Sequence, residues 1–271
     1  MFRTALRLGP GIYILAAVVA VAGFAPVPLW AAKPGAPPAV AANASASAEP
    51  SDDDLERQSP PTVMGDFNRD GIADTAEITL PEEGHSGPAI LTVWLGRADG
   101  SFNKVVYGPI SGHNPQDIVA GDFNNDGIPD LVVGDDDGEM TLFLGDGTGR
   151  MVSAGDVAHL SSVVSMAVAD FNHDGIPDVA VTDWRASSVT IFLGTGKSSL
   201  RSGWSFPLRM GGTTPHLTVA DFNGDGIPDL AVVYDNDDGD TYDVMLGHGN
   251  GTFTIAPTLG LVRDPNSHCA T

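Results

Sequence analysis

Asp66-Phe67-Asn68-Arg69-Asp70-Gly71-Ile72-Ala73-Asp74 decides how the rest of this 271-residue chain is read, because the same nine-residue phrase returns three more times. The copies run from Asp122 to Asp130, from Asp170 to Asp178 and from Asp221 to Asp229. Oxygen-bearing side chains stand at positions 1, 3, 5 and 9, and a glycine stands at position 6. A hard divalent cation such as Ca2+ takes six to eight oxygen ligands from carboxylates, amide oxygens, carbonyls and water. Alternate residues of a tightly curled loop converge on one point, and the glycine permits the sharp turn. The expected sites are Asp66, Asn68, Asp70 and Asp74 with the Ile72 carbonyl; Asp122, Asn124, Asp126, Ile128 and Asp130; Asp170, Asn172, Asp174, Ile176 and Asp178; and Asp221, Asn223, Asp225, Ile227 and Asp229.

Asp, Asn and Gly also dominate turns that hold no metal. Four copies with every oxygen position kept favour about four Ca2+ ions, one per loop. Position 4 varies between Arg69, Asn125, His173 and Gly224, so the turn itself does not force identity there. His173 then reads as a solvent-facing loop residue. The clusters offer oxygen and no thiolate, which argues against a soft metal.

Composition narrows the partners. The net charge is −22, with 13 Lys and Arg against 35 Asp and Glu. Nucleic acid needs clustered basic residues, and anionic lipid headgroups need the same. The single cysteine, Cys269, excludes an intrachain disulfide, so packing and metal must hold the fold.

The amino terminus reads as an address. Arg3 and Arg7 precede an apolar run from Gly11 to Phe24, followed by small residues at Ala31 and Ala32. This describes a signal peptide over residues 1–32, or an uncleaved N-terminal anchor, which is the only expected route to a membrane. The expected location is secreted, periplasmic or cell-surface. Residues 33–61 are rich in Ala, Pro and Ser, have no hydrophobic period and read as a disordered linker.

From residue 62 to 271 the sequence repeats itself. The first aspartates of the loops are 48 to 56 residues apart, a period that belongs to solenoids and propellers. Each unit places a short apolar stretch before the loop, as in Asp117-Ile118-Val119-Ala120-Gly121. A continuous apolar run follows it, as in Leu131-Val132-Val133, Val179-Ala180-Val181 and Leu230-Ala231-Val232-Val233. A third stretch ends in Leu-Gly, as in Met140-Thr141-Leu142-Phe143-Leu144-Gly145, and a Gly-rich turn and a weaker fourth strand close the unit. Short β-branched runs between Gly, Asp and Asn read as strands, and continuous apolar runs imply burial on both faces. The fold class expected is all-β: a propeller of about four blades, each a four-stranded antiparallel sheet.

The four Asp-Phe-Asn-X-Asp-Gly-Ile-X-Asp loops and the Gly-rich turns after Leu-Gly resemble the FG-GAP/VCBS-type repeat of integrin-α-like β-propellers, over about Pro61 to Leu261. The resemblance implies a Ca2+-holding loop between the first two strands of each blade. Such propellers usually carry seven blades, and four are counted here. A closed four-blade ring, an open arc that associates with other chains and an incomplete array all stay open. Gly260 to Thr271 resembles the opening strand of a further blade.

Other signals are set aside. Asp66 to Glu77 fits a helix-loop-helix calcium pattern, but the other copies place Val133, Val181 and Val232 at position 12, between strand-like flanks. Gly194-Thr195-Gly196-Lys197-Ser198 lacks the first glycine of a phosphate loop and reads as a hairpin turn. Asp135-Asp136-Asp137 and Asp235 to Asp238 read as solvated loops, and Trp184 and Trp204 as partly buried loop aromatics. No residue is nominated as catalytic. The expected role is a binding, adhesion or protein-interaction scaffold for a protein or glycan ligand, with self-association through an open blade face as a further expectation. The alternative is a polysaccharide-acting enzyme or a lectin built on the propeller.

Overall fold

The structure, a computed structural model, describes residues 60–80, 87–110, 114–208, 215–234 and 241–256. The expected signal segment, residues 33–59 of the linker, the cluster Asp235 to Asp238, Cys269 and the Gly260 to Thr271 stretch lie outside these residues. Among the described residues every element is a strand, and sixteen strands form four separate sheets. Blade 1 contains β1 (Thr62–Gly65), β2 (Asp74–Thr79), β3 (Ile90–Gly96) and β4 (Phe102–Pro109). Blade 2 contains β5 (Pro115–Gly121), β6 (Asp130–Asp135), β7 (Glu139–Gly145) and β8 (Met151–His159). Blade 3 contains β9 (Val163–Ala169), β10 (Asp178–Asp183), β11 (Ser188–Gly194) and β12 (Leu200–Pro207). Blade 4 contains β13 (Pro215–Ala220), β14 (Asp229–Tyr234), β15 (Thr241–Gly247) and β16 (Phe253–Ile255).

Each sheet is an antiparallel meander in sequence order. The oxygen-rich phrase joins the first strand to the second in all four, and its final aspartate opens the second strand. The registers repeat: Gly65 faces Asp74, Gly121 faces Asp130, Ala169 faces Asp178 and Ala220 faces Asp229. The first strands line up side by side, β1 against β5, β5 against β9 and β9 against β13. Packing of that extent does not recur between β13 and β1 among the described residues.

Alternation along each second strand feeds two different cores, because successive side chains point to opposite faces of a sheet. Leu131 and Val133 join Ala76, Ile78, Leu91 and Val93 in the seam between blades 1 and 2. Val132 turns the other way and joins Val179 and Val181 between blades 2 and 3. Ala180 joins Leu230 and Val232 between blades 3 and 4. This explains the continuous apolar run, since every residue of β6 and β10 is buried. Each buried Leu or Val contributes roughly 1.5 to 3 kcal/mol.

One further lock repeats in every seam. The phenylalanine at loop position 2 is fully buried in Phe67, Phe123 and Phe171, and a residue that opens the fourth strand of the following blade lies in the same core. That residue is Met151 beside Phe67, Leu200 beside Phe123 and Phe253 beside Phe171. Phe171 and Phe253 meet edge-on with centroids 5.5 Å apart.

Some expectations need correction. Trp204 lies on strand β12 rather than in a loop, stacked on Phe206 at 5.5 Å. Trp184 does sit in a turn but is 41% exposed. Asp135 is buried rather than solvated. Its Oδ1 accepts the amides of Asp137 and Glu139 and thereby builds the turn between β6 and β7.

Candidate metal centres

The four loops have one geometry. At position 1, Asp66 accepts the amides of Asp70 (3.0 Å) and Gly71 (3.0 Å). Asn68 Oδ1 also accepts the Asp70 amide, and Asn68 Nδ2 donates to Asp70 Oδ2 at 2.9 Å. Asp70 Oδ1 accepts the Ile72 amide at 2.8 Å. The pattern recurs through Asp122, Asn124 and Asp126, through Asp170, Asn172 and Asp174, and through Asp221, Asn223 and Asp225. Positions 1, 3 and 5 are thus drawn around a short curl of backbone.

The curl depends on left-handed residues. Position 6 has φ of 83°, 82°, 83° and 82° in Gly71, Gly127, Gly175 and Gly226, where a side chain would be strained. Position 4 is also left-handed, with φ of 61° in Arg69, 60° in Asn125, 58° in His173 and 78° in Gly224. The sequence alone showed freedom at position 4, but the backbone constrains it. Gly, Asn and His are the residues found most readily in that region, whereas Arg is uncommon there. His173 is exposed, as expected.

Position 9 does something the sequence did not disclose. Asp74, Asp130, Asp178 and Asp229 are fully buried. One oxygen of each accepts the position 2 amide, as Asp130 Oδ2 does from Phe123 at 3.0 Å. The other accepts the amide of the glycine that ends the third strand: Gly96, Gly145, Gly194 or Gly247, at 2.7 to 2.9 Å. A Cβ on any of these glycines would collide with the carbonyl oxygen at loop position 8, which explains the invariant Leu-Gly ending. The position 7 isoleucines pack their Cγ2 methyls over the same glycines. The Leu-Gly repeat was the visible signal, but its partner was not readable from sequence.

Electrostatics follow from burial. Desolvation pushes the Asp130 carboxyl up to about 7, helped by the charges of Asp126 and Asp122 and opposed by the Gly145 and Phe123 amides. Asp178 is likewise pushed up to about 7, with Asp174 and Asp170 adding to the effect of burial. Asp74 and Asp229 are raised by burial too, with Asp70 and Asp225 as the like-charged neighbours.

Among the described residues no three His, Cys, Asp or Glu side chains form a group poised around a metal ion; positions 1, 3 and 5 instead receive the loop's own amides. The donor set still fits a hard cation. Each carboxylate oxygen offers a second lone pair beyond its amide bond. The buried position 9 charge beside one or two further carboxylates is the arrangement that a divalent ion relieves.

The family model for the FG-GAP-like repeat matches the chain three times, over residues 66–133, 122–181 and 170–232. No curated protein matches it in sequence. Among solved structures, a fructofuranosidase from Schwanniomyces occidentalis complexed with fructosylnystose has a TM-score of 0.52 at 12% identity, over 74% of this chain and 46% of that one. The periplasmic gluconolactonase PpgL from Pseudomonas aeruginosa has a TM-score of 0.50 at 17% identity, over 70% of this chain and 54% of that one. The chain spans about half the length of these structures, and the likeness is one of fold.

Proposed function

The chain belongs to the FG-GAP-like repeat family, and from that premise we propose that it is a Ca2+-stabilised propeller scaffold that works outside the cytoplasm as a binding or adhesion module. The observation that carries this reading is the fourfold loop, with two carboxylates and one amide oxygen around a left-handed glycine and a third carboxylate buried behind them. Asp66, Asn68, Asp70, Asp74 and the Ile72 carbonyl would hold the ion in blade 1, and the corresponding residues would do so in the other three. Bound there, Ca2+ supplies positive charge to a cluster whose members otherwise repel.

The role of the chain's own residues is structural. The position 9 carboxylate ties the loop to the end of the third strand, so tightening the loop tightens the whole blade. The N-terminal apolar segment supports export, and the acidic balance supports partners other than nucleic acid. Calorimetric titration of the metal-free chain with CaCl2 tests the reading. About four ions per chain are expected, and no heat of binding together with an unchanged melting temperature would sink it.

A further inference from the structure

The three seams inside the chain are copies of one interface, and the two outer blades each hold half of a fourth. On the forward face of blade 4, Phe222 stands where Phe67, Phe123 and Phe171 stand, but it is only half-buried. Val244 takes the place of Val93, Leu142 and Ile191, all fully buried, and is half-buried as well. Val233 lies half-buried on the same face. Among the described residues, Phe222, Val233 and Val244 therefore form an apolar socket with no blade in it.

The matching knob is on the rear face of blade 1. Phe102 pairs with Gly96 just as Met151 pairs with Gly145 and Phe253 with Gly247. Met151 and Phe253 are 2% and 6% exposed, whereas Phe102 is 55% exposed. Trp94 takes the place of Phe143, Phe192 and Met245. Its Nε1 donates to Glu77 Oε2 at 3.1 Å, and Lys104 Nζ sits 5.1 Å from its ring centroid. Thr75 and Glu77 replace the aliphatic pairs Leu131 and Val133, Val179 and Val181, and Leu230 and Val232. The Thr92 hydroxyl of this face is buried without a hydrogen-bond partner among the described residues. The rear face thus offers two aromatic anchors set in polar surroundings, the composition of a reversible protein interface rather than of a core.

We propose that the forward face of blade 4 receives the rear face of blade 1 of a second copy of this chain, head to tail, with Phe102 of the incoming copy packing beside Phe222. The occupant follows from continuity: this is the seam the chain already makes three times. The tethers near the axis point the same way. Asp117 of blade 2 accepts the Met166 amide of blade 3 at 2.6 Å, and Ser165 of blade 3 accepts the Leu217 amide of blade 4 at 3.1 Å. His216 holds the same place in blade 4 and is exposed, with the Thr62 amide of an incoming blade 1 as the matching donor. A heterologous contact of this kind closes into a ring or continues as a filament, and two copies would bring eight blades together. The proposal does not rest on Ca2+ and survives if the loops bind none.

Sedimentation of the purified chain over a hundredfold concentration range, with and without CaCl2, tests it. The expected result is a mass that rises to at least twice the monomer. Phe102→Asp and Val244→Glu should each give monomers of unchanged circular dichroism, and a mixture of the two should form a one-to-one dimer, because each retains the half the other lacks. Thr218 faces Ala231 as Val119 faces Val132, which puts it on the forward face of blade 4; Phe102→Ser and Thr218→Lys form a milder second pair with the same expected readings if either charged variant misfolds. A chain that stays monomeric at every concentration, a dimer that survives in either single variant, or a mixture that stays monomeric would each overturn the proposal.

Discussion

Blades 2 and 3 are written with the same repeat as blades 1 and 4, yet burial sets them apart. Every residue of β6 and β10 is buried, whereas β2 alternates between buried and half-buried residues. Asp122 and Asp170 are buried at position 1, but Asp66 is half-buried and Asp221 exposed. Burial pushes Asp130 and Asp178 up to about 7, and raises Asp74 and Asp229 less far. The difference comes from having a neighbour on both sides. Identical loops acquire different electrostatics from the sheets that flank them, so a motif specifies the donors and the array specifies their environment.

The largest expected effect strikes all four blades together. At a free Ca2+ concentration ten times the dissociation constant, each loop gains about 1.4 kcal/mol, or roughly 6 kcal/mol over four. Chelation should therefore lower the melting temperature by many degrees. In hydrogen exchange, the Phe222 amide of the outer blade should lose protection before the Phe123 amide of the inner one. The reverse order would erase the distinction drawn here.

Next in size are the position 9 carboxylates. Asp130→Ala leaves two buried amides, of Phe123 and Gly145, without acceptors, at about 1 to 3 kcal/mol each. Asp229→Ala also orphans the buried Gly247 amide but leaves the half-buried Phe222 amide open to water, and should cost less. Urea midpoints measured in EDTA would separate the two, and equal losses would mean that neighbours do not matter. A smaller effect is expected at position 5. Asp126→Ala removes the acceptor of the Ile128 amide and a ligand of the proposed ion, at about 1 to 2 kcal/mol. Asp136→Ala loses only a 3.2 Å bond from Asn114, so thermal melts in CaCl2 should rank it well below Asp126→Ala.

The subtlest test concerns the seam between the inner blades. Burial pushes the Asp117 carboxyl from its ordinary value of 3.8 up to about 7, against the amides of Met166 and Ile118. The folded chain then keeps a proton between those values that the unfolded chain releases. Stability from this group is present below about pH 4 and is lost as pH rises to about 7. Asp117→Ser, which copies the Ser165 tether of the next seam, should flatten that part of the pH profile in saturating CaCl2. An unchanged slope would remove Asp117 from the account.

Much of this fold was legible because the repeat is spaced by turns. Asp66-Phe67-Asn68 and its copies marked the loops, and Leu131-Val132-Val133 announced a strand covered on both sides. The pairing of Asp130 with Gly145 was not legible, since it joins two conserved-looking signals fifteen residues apart through backbone rather than side-chain complementarity. Asp117 and Ser165 hid for another reason: unlike residues do one job in neighbouring seams. The buried state of Asp135 was masked by the two acidic neighbours that made the run look solvated.

The bond between position 9 and the glycine closing the third strand never leaves its own blade, while socket and knob sit on opposite faces of every one. A stretch of coding sequence one repeat long therefore carries a part that fits itself. Tandem duplication or loss by unequal recombination changes the number of modules without redesigning any junction, and adaptation is required only of whichever modules come to stand first and last.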